Sequence, residues 1–148
     1  MPTQQINFVT KNAFKTPILF LIFNRPETTQ QVFSAIRKAK PPHLYVAADG
    51  PRPEFLDEEK HCELAREVAT NVDWNCEVKT LFRENNLGCR LAVSSAIDWF
   101  FEQELEGIIL EDDCLPDQSF FFFCQEVLDY FHLTQYLTKL LLLVYNFQ

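Results

Sequence analysis

The sequence predicts an α/β layered fold around a mostly parallel sheet, and three observations carry that prediction. Short apolar runs of strand character alternate with longer helical patterns along the whole chain. The first run, residues 17–23 (PILFLIF), is apolar throughout, as suits a strand covered on both faces. Three of the runs end in polar residues, Asn24-Arg25, Asp49-Gly50 and Glu111-Asp112-Asp113. In an open sheet such residues gather along the carboxyl edge, where α/β proteins bind ligands.

The elements follow in order. Pro26 suits the first turn of a helix, and Val32, Phe33, Ile36 and Ala39 form its apolar side until Pro41-Pro42 ends it. Residues 43–48 (HLYVAA) read as a second strand closed by the turn signal Asp49-Gly50-Pro51. A helix is expected over residues 54–72, a third strand over 77–82 (EVKTLF) and a long helix over 87–105. Val93, Ile97, Phe100 and Phe101 make the apolar side of that long helix. The fourth strand is GIIL, residues 107–110, and after Pro116 a helix runs to about residue 131, with Phe120–Phe123 as its core anchor. No internal repeat or low-complexity linker interrupts the series.

The composition narrows the class. A chain of 148 residues has the size of one domain with a real core. Its net charge of -8 argues against a general nucleic-acid binder, which needs a basic surface. Cys62, Cys76, Cys89, Cys114 and Cys124 are odd in number and lack CxxC spacing, so they read as reduced thiols of a cytoplasmic protein. The first residues lack the apolar core of a signal peptide, and the apolar run 140–144 is too short to cross a bilayer. No membrane span is therefore expected. His43, His61 and His132 have no ligand spacing and read as structural.

The acidic triplet Glu111-Asp112-Asp113 is the sharpest feature. Adjacent like charges repel and resist desolvation, so either water solvates them at a loop or a cation neutralises them. Acids of this kind also cap helices, Asp49 before Gly-Pro suits a plain turn, and Arg25 and Arg90 suit surface pairing. The position of the triplet after an apolar strand favours an oxygen-ligated divalent ion, Mg²⁺ or Mn²⁺.

Four stretches together carry a resemblance: PILFLIFNRPETTQQVFSAI, VAADGPR, ENNLGCRLAVSSAIDWFF and GIILEDDCLPDQSFF. Over residues 17–130 the chain resembles the nucleotide-binding half of GT-A-fold glycosyltransferases, above all the bacterial nucleotide-diphospho-sugar transferase family. The resemblance implies a three-layer Rossmann-like domain over residues 17–132, between an N-terminal extension (1–16) and an atypical tail (133–148). It implies that Asp113 coordinates Mn²⁺ or Mg²⁺ on the donor diphosphate, that Asp112 meets ribose, and that Glu111 meets the sugar or the metal's water shell. Arg25 would lie by the nucleotide phosphates, Asp49 by base or ribose, and Arg90 near the nucleotide. The implied partners are a nucleotide-diphosphate sugar and a glycan or other hydroxyl acceptor.

Members of that family continue into an acceptor half that supplies the catalytic base. The tail LTQYLTKLLLLVYNFQ has no acidic residue, and Tyr136, Lys139 and Tyr145 are its titratable groups. Glu126 and Asp129 fall on a helix face. The expectation is a sheet incomplete at its C-terminus in a truncated chain. Such a chain would bind a sugar nucleotide better than it turns one over and would self-associate through an exposed apolar face. The alternative is a non-catalytic nucleotide-sugar-binding fragment or interaction module. A receiver-like Mg²⁺ pocket would want acids where Asn24-Arg25 stand, and a nucleotidyltransferase would want a glycine-rich phosphate loop where FNRPETT stands.

Overall fold

Strands and helices alternate strictly: β1 (Ile18–Ile22), α1 (Pro26–Ala39), β2 (His43–Ala48), α2 (Glu58–Thr70), β3 (Glu77–Phe82), α3 (Cys89–Phe101), β4 (Glu106–Glu111), α4 (Gln118–Thr134) and β5 (Leu140–Leu143). The computed structural model describes residues 13–134 and 140–143. The strands form one sheet in the order β3-β2-β1-β4-β5, with every neighbouring pair parallel. The chain lays strands outward from β1 to β3, then returns to the other side of β1 for β4. The two directions part between β1 and β4, the switch point at which doubly wound sheets open a crevice.

The pleat of β1 explains how the layers form. All five of its residues are buried, and alternate side chains enter two cores. Ile18, Phe20 and Ile22 pack with Val32, Phe33 and Ile36 of α1, Ala65 and Ala69 of α2, and Phe121 and Cys124 of α4. Leu19 and Leu21 face the opposite way, toward Tyr45, Ile109, and Ala96 and Phe100 of α3. Among the described residues three helices thus cover one face and α3 covers the other. Gly107 marks where α3 sits closest, because a Cβ there would stand 2.3 Å from the Phe100 ring and 2.9 Å from the carbonyl oxygen of Pro17.

Several boundaries move from the sequence expectation for identifiable reasons. α1 opens on Pro26 as expected and closes at Lys40, which takes a left-handed conformation (φ 54°) and donates its N–H to the Ile36 carbonyl. α2 starts at Glu58 rather than near 54, because the carboxylate of Glu58 anchors the preceding loop through Arg52. α3 starts at Cys89 rather than 87, because Gly88 has φ 80° and the amides of Leu87 and Gly88 are bonded to Asp49.

The ends of the chain also depart from the expected division. Phe14 is buried edge-on against Phe121 and Phe122, and the amide of Lys15 donates to Gln125 of α4, so residues 13–16 belong to the domain. Residues 140–143 add β5 beside β4, so part of the expected tail is sheet. Residues 1–12, and Tyr136, Lys139 and Tyr145 of the tail, lie outside the described residues. Of the phenylalanine run, Phe121 is fully buried while Phe123 is exposed. Among the described residues no helix is long and apolar enough to cross a membrane. The five cysteines are all outside disulfides.

Candidate functional site

A cleft of about 370 Å³ opens at the carboxyl edge of the sheet, on the side that α3 covers. Leu21, Ala47 and Leu81 at the strand ends and Ala92 and Val93 of α3 give it an apolar floor and wall. Its polar lining comes from the residues just past the strands: Arg25 after β1, Asp49 and Arg52 after β2, Arg83 and Asn86 after β3, and Glu111, Asp112 and Asp113 at the end of β4. Parallel strands bring all their carboxyl ends to one edge, so residues remote in sequence meet there.

Arg25 occupies the N-cap position of α1, and its Nη1 lies 3.3 Å from Oδ2 of Asp113, with both side chains substantially exposed. Asp112 turns inward, is buried, and accepts the amide of Phe23 at 3.1 Å. Burial holds its carboxyl above the usual range, against the pull of the Phe23 amide and Arg25. Glu111 is raised as well, by burial first and then by the charges of Asp113 and Asp112, with Arg25 opposing. The triplet therefore divides: Asp113 at the mouth, Asp112 anchored to the backbone just past β1, and Glu111 half-buried on the α3 side. Among the described residues no group of three or more His, Cys, Asp and Glu side chains converges to hold a metal ion by itself.

Asp49 lines the cleft, but its carboxylate is directed at the protein. Oδ1 accepts the amides of Gly50 (2.9 Å) and Leu87 (2.8 Å), and Oδ2 accepts the amide of Gly88 (3.0 Å) and Nδ2 of Asn86 (3.1 Å). A carboxylate has about four lone-pair sites, so this one is filled by internal donors. Its expected contact with base or ribose is not what these bonds serve.

Arg90 is not brought into the cleft. Cys89, Ala92, Val93 and Ala96 share the inward stripe of α3, with spacing i, i+3, i+4, i+7, so Arg90 falls on the outer side. There it borders an open groove with Leu87, Leu91 and Ser94, which adjoins the cleft at Gly88 and Cys89. Arg83 lines the cleft instead, its Nη2 held 3.1 Å from Oγ of Ser95 in α3. The signal for Arg83 was present in the sequence, since it is the first residue after β3.

Arg52 was the other missed cation. Its backbone amide donates to Oε2 of Glu58 at 2.6 Å, its Nη2 donates to Oε1 at 2.5 Å, and its guanidinium lies 3.9 Å from the centroid of the Phe55 ring. Glu58 is buried and also accepts Nδ2 of Asn24 at 2.8 Å. The Arg52 hydrogen bonds, with Asn24 adding to them, bring its carboxyl down to about 2. Arg52 is thus held at the cleft by a network that reaches back to the end of β1.

No family model, no curated protein and no solved structure matches the chain.

Proposed function

We propose that the cleft binds a nucleotide-diphosphate sugar and that the chain is the donor-binding part of a metal-dependent glycosyltransferase of GT-A layout. The observation that carries this reading is the Arg25–Asp113 pair at the β1/β4 switch point, a guanidinium and a solvent-facing carboxylate within 3.3 Å. An anionic diphosphate bound there meets the arginine directly and the carboxylate through a cation. The residues fit a hard divalent ion that arrives with diphosphate oxygens and water as its other ligands, with Asp113 as the protein's oxygen donor. They do not fit a preformed cage. Such an ion, Mn²⁺ or Mg²⁺, would stabilise the negative charge that develops on the leaving diphosphate.

In glycosyl transfer the bond from the anomeric carbon to the diphosphate breaks through an oxocarbenium-like transition state, and an acceptor oxygen takes its place. Arg25 neutralises phosphate charge, Glu111 faces the space beside the sugar, and the apolar floor at Leu21 and Ala47 excludes water from one side of the donor. Asp112, bonded to the Phe23 amide, keeps the ends of β1 and β4 in register. Arg90 has no part in this reading. The cysteines, all outside disulfides, support a cytoplasmic setting.

Titration calorimetry with UDP and GDP, in Mn²⁺ and in chelator, tests the proposal. Metal-dependent binding supports it, and equal affinity in both conditions refutes the metal assignment. Absence of binding by any nucleoside diphosphate refutes the reading as a whole. Binding without transfer to added sugar acceptors would favour a non-catalytic nucleotide-sugar module.

A further inference from the structure

We infer that Asp49 is a positioning residue: it clasps the loop 86–88 to the end of β2 and so fixes the first turn of α3 as a wall of the cleft. The geometry comes from three sides. From within, the Asp49 carboxylate takes three backbone amides and the Asn86 side chain, and Asn86 also donates to the Gly50 carbonyl at 2.8 Å. From α2, Nη2 of Arg66 bridges the carbonyls of Asp49 (3.1 Å) and Arg83 (2.7 Å). At the seam, Gly50 lies so close to the Asn85 backbone that a Cβ would stand 2.4–2.7 Å from its atoms. Gly88 then leads straight into Cys89, Ala92 and Val93, the α3 residues that border the cleft. The three carboxylate hydrogen bonds that reach residues 86–88 hold a loop that carries no regular structure of its own, and they determine where α3 begins.

The ligand part of this inference rests on the nucleotide reading above, whereas the loop part does not. Amide hydrogen exchange followed by NMR tests the loop in the ligand-free protein. The amides of Leu87 and Gly88 should exchange slowly in the wild-type chain and much faster in Asp49→Asn, while those of Leu19 and Phe20 in β1 stay protected. Fast exchange at Leu87 and Gly88 in the wild-type chain would overturn the inference without any variant. Binding of UDP or GDP with Mn²⁺ supplies the second arm. Asp49→Asn should weaken it by about tenfold, because displaced walls cost affinity. Gly50→Ala, which forces the same loop away and leaves the carboxylate intact, should weaken it similarly. If Asp49→Asn loses binding while the loop amides keep their protection, or while Gly50→Ala binds normally, Asp49 contacts the ligand itself and the positioning role is wrong. If the wild-type chain binds no nucleotide, the nucleotide reading fails and the exchange arm still decides the clasp.

Discussion

Arg25 and Asp113 stand at the ends of two neighbouring parallel strands, 88 residues apart in sequence and 3.3 Å apart in space. An exposed pair of this kind adds little to stability. Asp113→Ala should therefore change the unfolding free energy by less than about 0.5 kcal/mol. It should nonetheless remove most of the gain in nucleotide affinity that Mn²⁺ confers on the wild-type chain. Calorimetry of the two chains with and without metal checks this, and a variant that keeps the full metal gain would rule Asp113 out as the ligand.

Arg25→Ala should weaken nucleotide binding in chelator as well as in Mn²⁺, because in the proposed reading the guanidinium acts on phosphate directly. A charged hydrogen bond of this kind contributes about 1.5–3 kcal/mol, or roughly 10- to 150-fold in affinity. Loss confined to the Mn²⁺ condition would assign Arg25 to the metal instead.

Glu58 is buried with its carboxyl brought down to about 2 by Arg52. Glu58→Gln turns an amide donor toward the Arg52 donors and should cost on the order of 2–3 kcal/mol at neutral pH. A depressed folded-state pKa contributes stability that is complete above the ordinary value of 4.5 and is lost as pH falls toward 2. The stability gap between wild type and variant, measured by urea unfolding, should therefore narrow below pH 4.5. A gap that widens in acid would contradict the pairing.

Tyr45 is buried, and its hydroxyl donates to Oε1 of Glu104 at 2.7 Å. Burial first, then the Glu104 hydrogen bond and charge, raise its pKa above the ordinary 10.0. Tyr45→Phe should cost about 1 kcal/mol at pH 7. A raised folded-state pKa gives stability that is present below pH 10 and is lost as pH climbs through the folded value. Wild type should thus lose stability in strong alkali faster than the variant. Parallel alkaline losses in the two chains would show that the phenol is not the group responsible.

Gly107→Ala should destabilise by roughly 1–3 kcal/mol, because the added methyl meets the Phe100 ring and the Pro17 carbonyl. Adding Phe100→Leu should make the double variant less unstable than the sum of the singles, since the two changes share one space. Thermal unfolding of the four chains measures the coupling, and strict additivity would disprove the contact.

The fold was legible where one local signal dominated. The apolar runs at 18–22, 43–48 and 106–111 became strands because burial on two faces leaves such runs few other uses, whereas 77–82 (EVKTLF) is half-exposed and joins the sheet as the parallel neighbour of β2. The start of α3 was not legible, because Asp49 removes Leu87 and Gly88 from the helix by bonds that span about forty residues. Arg83 went unread for a different reason. The resemblance implied Arg90, whereas helix phase turns it away from the cleft and strand direction brings Arg83 to its lining. The pairing of Glu58 with Arg52 was not legible either, because only the folded loop between them brings the two side chains together. The leucines at 140–143 were read for bilayer length, although a strand added to an existing sheet needs only a few residues.

The pairing of Ile18 with Ile108 sets a delay during synthesis on the ribosome. β1 is made first, yet its second neighbour is 90 residues away, since 108 − 18 = 90. At about 5–20 residues per second the growing chain waits roughly 5–18 s between translating the one and the other. Through that interval the segment ILFLI has at most one of its two flanking strands, and its open edge is available to other nascent chains. Yield from cells should therefore depend on chaperone supply and translation rate more than the stability of the finished domain suggests.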